Sequence, residues 1–175
     1  MSATIQEQAI SETKGWLVEF VIGHNLCPFA RKPFESDQIR FVCSDAKAES
    51  ALLHVLAQEF ELLLSDSTIE TTLLIVANAL ETFAAYWDFT ELAEALIESL
   101  ELDGVFQLAT FHPHYQFEGS EPSAPENRTN RSPYPMLHIL REESLTKAIA
   151  TYPDVDRIPE RNIALMRSLA GIDTD

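Results

Sequence analysis

Apolar residues recur at helical steps from Ile5 and Ala9 through Trp16 and Leu17 to Phe20 and Val21, which predicts an amphipathic helix over 5–22. Gly23, His24 and Asn25 end it, because Gly and Asn tolerate the left-handed conformation that often closes a helix. In "LCPFARKPF" the prolines at 28 and 33 interrupt any regular element, so this stretch reads as a loop. Residues 39–43 read as a short strand. Ser44 or Asp45 can cap the next helix, in which Leu52, Val55, Leu56, Phe60 and Leu63 fall on one face.

"TTLLIVA", 71–77, is β-branched and continuously apolar, the signature of a central strand covered on both faces. Asn78 with Glu81 three residues on resembles a capping box for a helix through Leu80, Phe83 and Trp87, which restarts at Thr90 after a kink at Asp88. "VFQLATF", 105–111, and "MLHILR", 136–141, supply a third and a fourth strand, and helices over 143–150 and 158–169 finish the chain. Strands separated by helices favour parallel crossovers, whereas two strands in succession favour an antiparallel pair. The expectation is an α/β (or α+β) fold: a mixed sheet of about four strands, an N-terminal helix and C-terminal helices, all in one domain over 1–175. A ferredoxin-like arrangement is compatible with the same pattern.

Composition narrows the function classes. A chain of 175 residues with 46% apolar and 23% charged residues can bury a core without disulfide or metal staples. The formal charge of −16 is uneven: residues 48–127 hold 15 Asp and Glu and no Lys or Arg. Such a surface repels phosphate backbones and anionic lipid, so neither nucleic acid nor a membrane is an expected partner. The first 14 residues are polar and lack a signal-peptide core, which points to a cytoplasmic protein with Cys27 and Cys43 reduced. On that reading Asn127 and Asn130, each in a glycosylation triplet, are ordinary polar loop residues.

The candidate chemistry gathers around the long connection after the third strand. A connection of more than 20 residues, from about 113 to 135, is long for a compact domain, and such loops are usually functional or disordered. Pro133 and Pro135 stiffen its end, where Asn130, Arg131, Ser132 and Tyr134 can hold donors in place; His138 and Arg141 follow on the strand. Arg forks match carboxylate or phosphate oxygens in pairs, so these residues form a candidate pocket for a small anionic molecule. His112 is the candidate general acid or base, with Cys27 or Tyr115 auxiliary. His112, His114 and His138 also permit a divalent metal such as zinc, although no closed ligand motif is present and no cofactor is expected. Five glycines allow neither a dinucleotide fingerprint nor a phosphate loop, and no nucleophile elbow can be written.

"NLCPFA" (25–30), "FHPHYQFEG" (111–119), "TNRSPYPMLHILRE" (129–142) and "ERNIA" (160–164) together resemble a bacterial family catalogued as domain of unknown function 1415. The resemblance spans nearly the whole chain and implies no activity or catalytic residue. "CPFAR" is also similar to the cysteine motif of omega-class glutathione transferases, where the cysteine opens a helix directly after a strand. Here a helix precedes it, so a thioredoxin-like fold is not expected.

Two functions follow as expectations. One is an enzyme acting on a small anionic molecule through a His/Arg pocket. The other is a non-catalytic module binding an anion or a protein. Convergence of His112, His138, an arginine and Cys27 in one concave site favours the enzyme; histidines buried singly, with the loop flat and exposed, favour the module.

Overall fold

A computed structural model describes residues 3–171. Helix α1 (Ile5–Trp16) opens with a reciprocal capping box, in which the Thr4 hydroxyl accepts from the Glu7 amide while the Glu7 carboxylate accepts from the Thr4 amide. The helix runs on as a six-residue π-helix, Leu17–Ile22. Wider π winding is rare and concentrates at functional sites; here it ends beside the turn that carries Cys27.

Gly23 closes this helix for a reason other than the expected left-handed cap. Its φ is −59°, and Asn25, at φ 52°, makes the left-handed turn instead. A Cβ on Gly23 would collide with the carbonyl oxygen of Glu19. Gly23→Ala is therefore expected to destabilise the protein by roughly 1–3 kcal/mol, the usual cost of overpacking. Urea denaturation checks it, and an unchanged midpoint would show that the π turn yields freely.

After a short helix α2 (Arg31–Glu35) inside the stretch expected to be loop, β1 (Ile39–Ser44), α3 (Glu49–Ser65) and β2 (Thr71–Val76) form a parallel crossover with Ile39 opposite Thr71. Helix α4 (Phe83–Ser99) leads to β3 (Phe106–Phe111), and β4 (Met136–Arg141) returns antiparallel between β2 and β3. The sheet order is β1-β2-β4-β3. The mixed four-stranded sheet agrees with the expected class; the chain order β-α-β-α-β-β is not the ferredoxin-like one. Helices α5 (Glu142–Thr151) and α6 (Ile158–Leu169) complete the fold.

Alternation along the strands divides two cores. Leu74, Val76, Leu137 and Ile139 point toward α3 and α4, where Phe60, Tyr86 and Phe89 are fully buried. Leu73, Ile75 and Met136 point the other way, toward α1, the π-helix and Met166 of α6. Both faces are thus covered, which explains why every residue of β2 is buried.

Three local expectations are corrected. Helix α4 starts at Phe83 under a Thr82 cap rather than at Asn78, because Leu80 takes φ 60° and breaks the earlier path. It is also continuous through Asp88 and Thr90; the Thr90 hydroxyl donates to the Trp87 carbonyl within the helix. Helix α3 has Ala48 at its cap, while the Ser44 hydroxyl accepts from the Ala46 amide in the preceding turn. Among the described residues no helix is long and apolar enough to cross a membrane.

Candidate functional site

Where β3 runs out, the chain is clamped from the α4 side. The Tyr86 hydroxyl donates to the Met136 carbonyl at 2.8 Å and accepts from the Phe111 amide at 3.0 Å. His112 lies against the Tyr86 and Phe83 rings and is 0% exposed. Its Nε2 is 3.0 Å from the Leu80 carbonyl, and its Nδ1 accepts from the His114 amide at 3.0 Å. Donation from Nε2–H and acceptance at Nδ1 define one neutral tautomer. Burial lowers the His112 pKa, which keeps that tautomer at neutral pH. Both nitrogens are engaged, so in this structure His112 ties the end of β3 to the Leu80 turn and to the start of the long loop.

Tyr115 belongs to the same clamp. It is buried against Phe83 and Phe117, its hydroxyl is 3.2 Å from that of Thr110, and its carbonyl accepts from Arg131 Nε at 3.1 Å.

His138 does not join them. It sits opposite Ala109 of β3 and Leu73 of β2, as the expected strand pairing requires, but its parity with Leu73 turns it to the α1 face while His112 packs on α4. The shared His112–His138 pocket is therefore corrected: two residues on opposite faces of a sheet cannot converge. The same geometry removes the three-histidine metal set, and among the described residues no group of three His, Cys, Asp or Glu could hold a metal ion.

His138 Nε2 lies 2.7 Å from the Thr71 hydroxyl, and desolvation pushes the pKa of this half-buried residue down to about 4. An unfolded His titrates near 6.5, so below that pH the unfolded chain binds the extra proton and stability falls until about pH 4. The expected loss over that window is on the order of 3 kcal/mol. His138→Gln should flatten this limb in pH-resolved urea titrations, leaving the smaller part of the same sign from His112. An equally steep limb in the variant would contradict the assignment.

The arginines of the expected anion pocket are engaged with backbone. Arg131 donates from Nη2 to the Pro122 carbonyl at 2.7 Å as well as to Tyr115, and its own carbonyl accepts from Trp16 Nε1 at 3.0 Å. Arg141, at the far end of β4, donates to the carbonyls of Leu63, Asp66 and Ile69 after α3. Ser132 donates to the Tyr134 carbonyl, and the Tyr134 hydroxyl donates to Glu12, which pushes its pKa up to about 12. Arg131 and Ser132 brace the long loop against itself, Tyr134 fastens it to α1, and Arg141 fastens β4 to the end of α3.

The loop is correspondingly ordered. Residues Pro125–Asn130 form a 3-10 helix, and fully buried Asn127 accepts from the Phe117 amide and donates to the Glu121 carbonyl. Asn130 Nδ2 donates to the Thr110 carbonyl at 3.0 Å. The loop thereby folds over the α1 face and meets α6.

A cavity of about 630 Å³ lies between the Cys27 turn, this loop and the start of α6. Val21, Leu26, Phe111, Phe117, Ile158 and Ile163 supply its apolar walls. Its polar lining includes Cys27, Glu118, Glu126, Asn130 and Asn162. Two α6 residues that sequence reasoning did not single out hold the Cys27 turn: Arg161 donates to the Asn25 carbonyl at 2.6 Å and Asn162 to the Leu26 carbonyl at 2.8 Å. Their only sequence signal was their place in "ERNIA".

Cys27 and Cys43 are both free thiols. The amides of Phe29 and Ala30 are directed at the Cys27 sulfur, but burial outweighs them and raises its pKa above the ordinary thiol value. Arg31, four residues on, pairs with Glu35 at 3.6 Å and points an Nη at the Ile22 carbonyl. Cys27 therefore faces the cavity as a neutral thiol.

All four segments that carry the family resemblance reach this cavity: Leu26 and Cys27 from the first, Phe111, Phe117, Glu118 and Gly119 from the second, Thr129 and Asn130 from the third, Asn162 and Ile163 from the fourth. No curated protein and no solved structure matches the chain. A family model described as "Protein of unknown function (DUF1415)" matches residues 8–174, nearly the whole chain, and the protein belongs to that family.

Proposed function

We propose that this protein is a binding module for a small, partly apolar molecule held in the cavity between the Cys27 turn, the long loop and α6. The observation that carries this reading is the convergence there of four segments that are far apart in sequence. Its volume of about 630 Å³ and its apolar walls suit a ligand of ordinary metabolite size. Binding is favoured over catalysis because the candidate acid–base groups are engaged elsewhere. His112 has both nitrogens bonded, Tyr115 is buried, and burial holds the Cys27 thiol neutral. An anion finds little support, since no Lys or Arg lines the cavity.

The test is isothermal titration with 4-phenylbutanol, a neutral probe with an apolar body. Saturable one-to-one binding is expected in the wild type and is lost in Ile163→Trp, which fills the cavity. Alkylation of Cys27 by N-ethylmaleimide should slow in the presence of the probe. Binding that survives both Ile163→Trp and Cys27 alkylation would place the ligand elsewhere and defeat the reading.

A further inference from the structure

We infer that the ligand of this cavity is a cation, an apolar body bearing an ammonium group, an inference that rests on the binding reading above. Glu118 and Glu126 are its charged lining residues, and no basic side chain or histidine lines it. Glu126 is ionised, because its own backbone amide and then Arg167, 3.3 Å away, hold its carboxyl below the usual range. Arg167 partly neutralises that charge. Glu118 is exposed at the rim and forms no ion pair among the described residues, so its carboxylate is available to a ligand.

The neutral polar groups add acceptors at the same place. Asn162 and Asn130 each have an Nδ2–H on a backbone carbonyl; the Asn130 Oδ1 accepts from the Thr129 hydroxyl at 3.1 Å and the Asn162 Oδ1 from Arg161 Nη2 at 3.5 Å, which leaves each oxygen one further lone pair. Arg128, the nearest basic residue in sequence to the cavity lining at 129, lies over the Phe20 ring. Arg161, next to the lining residue Asn162, is tied to the Asn25 carbonyl. An anion entering here would meet the carboxylates, with the nearby Arg167 already engaged by Glu126, whereas an ammonium would meet carboxylate and amide oxygens above apolar walls. The formal charge of −16 deepens the bias by concentrating cations near the surface.

Three probes on one skeleton separate charge from shape: 4-phenylbutylamine, 4-phenylbutanol and 4-phenylbutyrate, titrated at pH 7 and low salt. The amine is expected to bind about three- to tenfold more tightly than the alcohol, and the carboxylate most weakly, as one screened ion pair and its reverse would give. Glu118→Gln should remove most of the preference and 0.5 M NaCl should narrow it. Ile163→Trp or prior alkylation of Cys27 should abolish amine binding. Amine and alcohol of equal affinity, or a tighter carboxylate, would overturn the cation while leaving the cavity as the binding site. Amine binding that persists in the filled or alkylated protein would be attraction to the acidic surface and would overturn it too. Failure of all three probes at millimolar concentration would remove the binding reading itself.

Discussion

Arg40→Met is expected to cost about 3–5 kcal/mol, because it strands a carboxylate inside the fold. Glu59 of α3 is 5% exposed and accepts from Arg40 Nε at 2.7 Å and Nη2 at 3.0 Å, with the Thr72 hydroxyl of β2 at 3.4 Å. The paired fork raises the Arg40 pKa mainly through that hydrogen bonding, so the guanidinium is charged throughout the working range. Its removal leaves Glu59 with one weak donor, and a buried unpaired charge costs more than the pair itself contributes. For a chain of this length the melting temperature should drop by roughly 10 °C. Arg40→Met with Glu59→Leu should recover most of the loss, since well-packed apolar replacements of buried pairs are close to neutral. Urea denaturation of the single and double variants decides it; a single variant within 1 kcal/mol of wild type would mean that water reaches Glu59.

The second large effect is expected at Tyr86→Phe, which removes one oxygen and little volume. That oxygen serves the Phe111 amide and the Met136 carbonyl, at the point where β3 and β4 end beside the cavity. Two backbone groups lose their partner, one buried and one half-buried, at roughly 1–3 kcal/mol each, so a total of about 2–6 kcal/mol is expected. Because Phe111 is both the recipient of this bond and a wall of the cavity, probe binding should weaken along with stability. Hydrogen exchange adds a local readout: the Phe111 amide should exchange faster than its neighbours in β4. A stability loss below 1 kcal/mol with unchanged Phe111 exchange would show that the two groups find other partners.

Much of the architecture was legible because it rests on local pattern. The bounds of β4 and α6 follow from apolar periodicity and flanking prolines, and the all-apolar run of β2 announced a strand covered on both faces. Short-range rules failed where a competing contact decided the outcome. Asn78 satisfied the spacing of a capping box, yet Leu80 turns left-handed, and its carbonyl is taken by His112. Gly23 looked like a left-handed cap, yet its lack of a Cβ serves a close approach to Glu19 in right-handed backbone. Both contacts are invisible to a window of a few residues.

The candidate site shows the same division. The sequence by itself determined that the end of the long loop would be stiff and polar, since Pro133, Pro135 and a run of Asn, Arg and Ser restrict the backbone and supply bonding groups. It also determined the antiparallel pairing of β3 with β4, because successive strands joined without a crossover helix pair that way. Tertiary structure alone decided what those groups bond to. One residue of parity separates His112 from the face that His138 occupies, and a sheet turns that single step into opposite sides of a packed layer. Arg131 and Arg141 could have gripped an anion, but backbone carbonyls left open by a folded loop and a helix end lie within their reach and take their donors first. The cavity was beyond the sequence for the same reason: its walls come from four segments separated by up to 137 positions, between Leu26 and Ile163, and only packing against one face of the sheet brings them together.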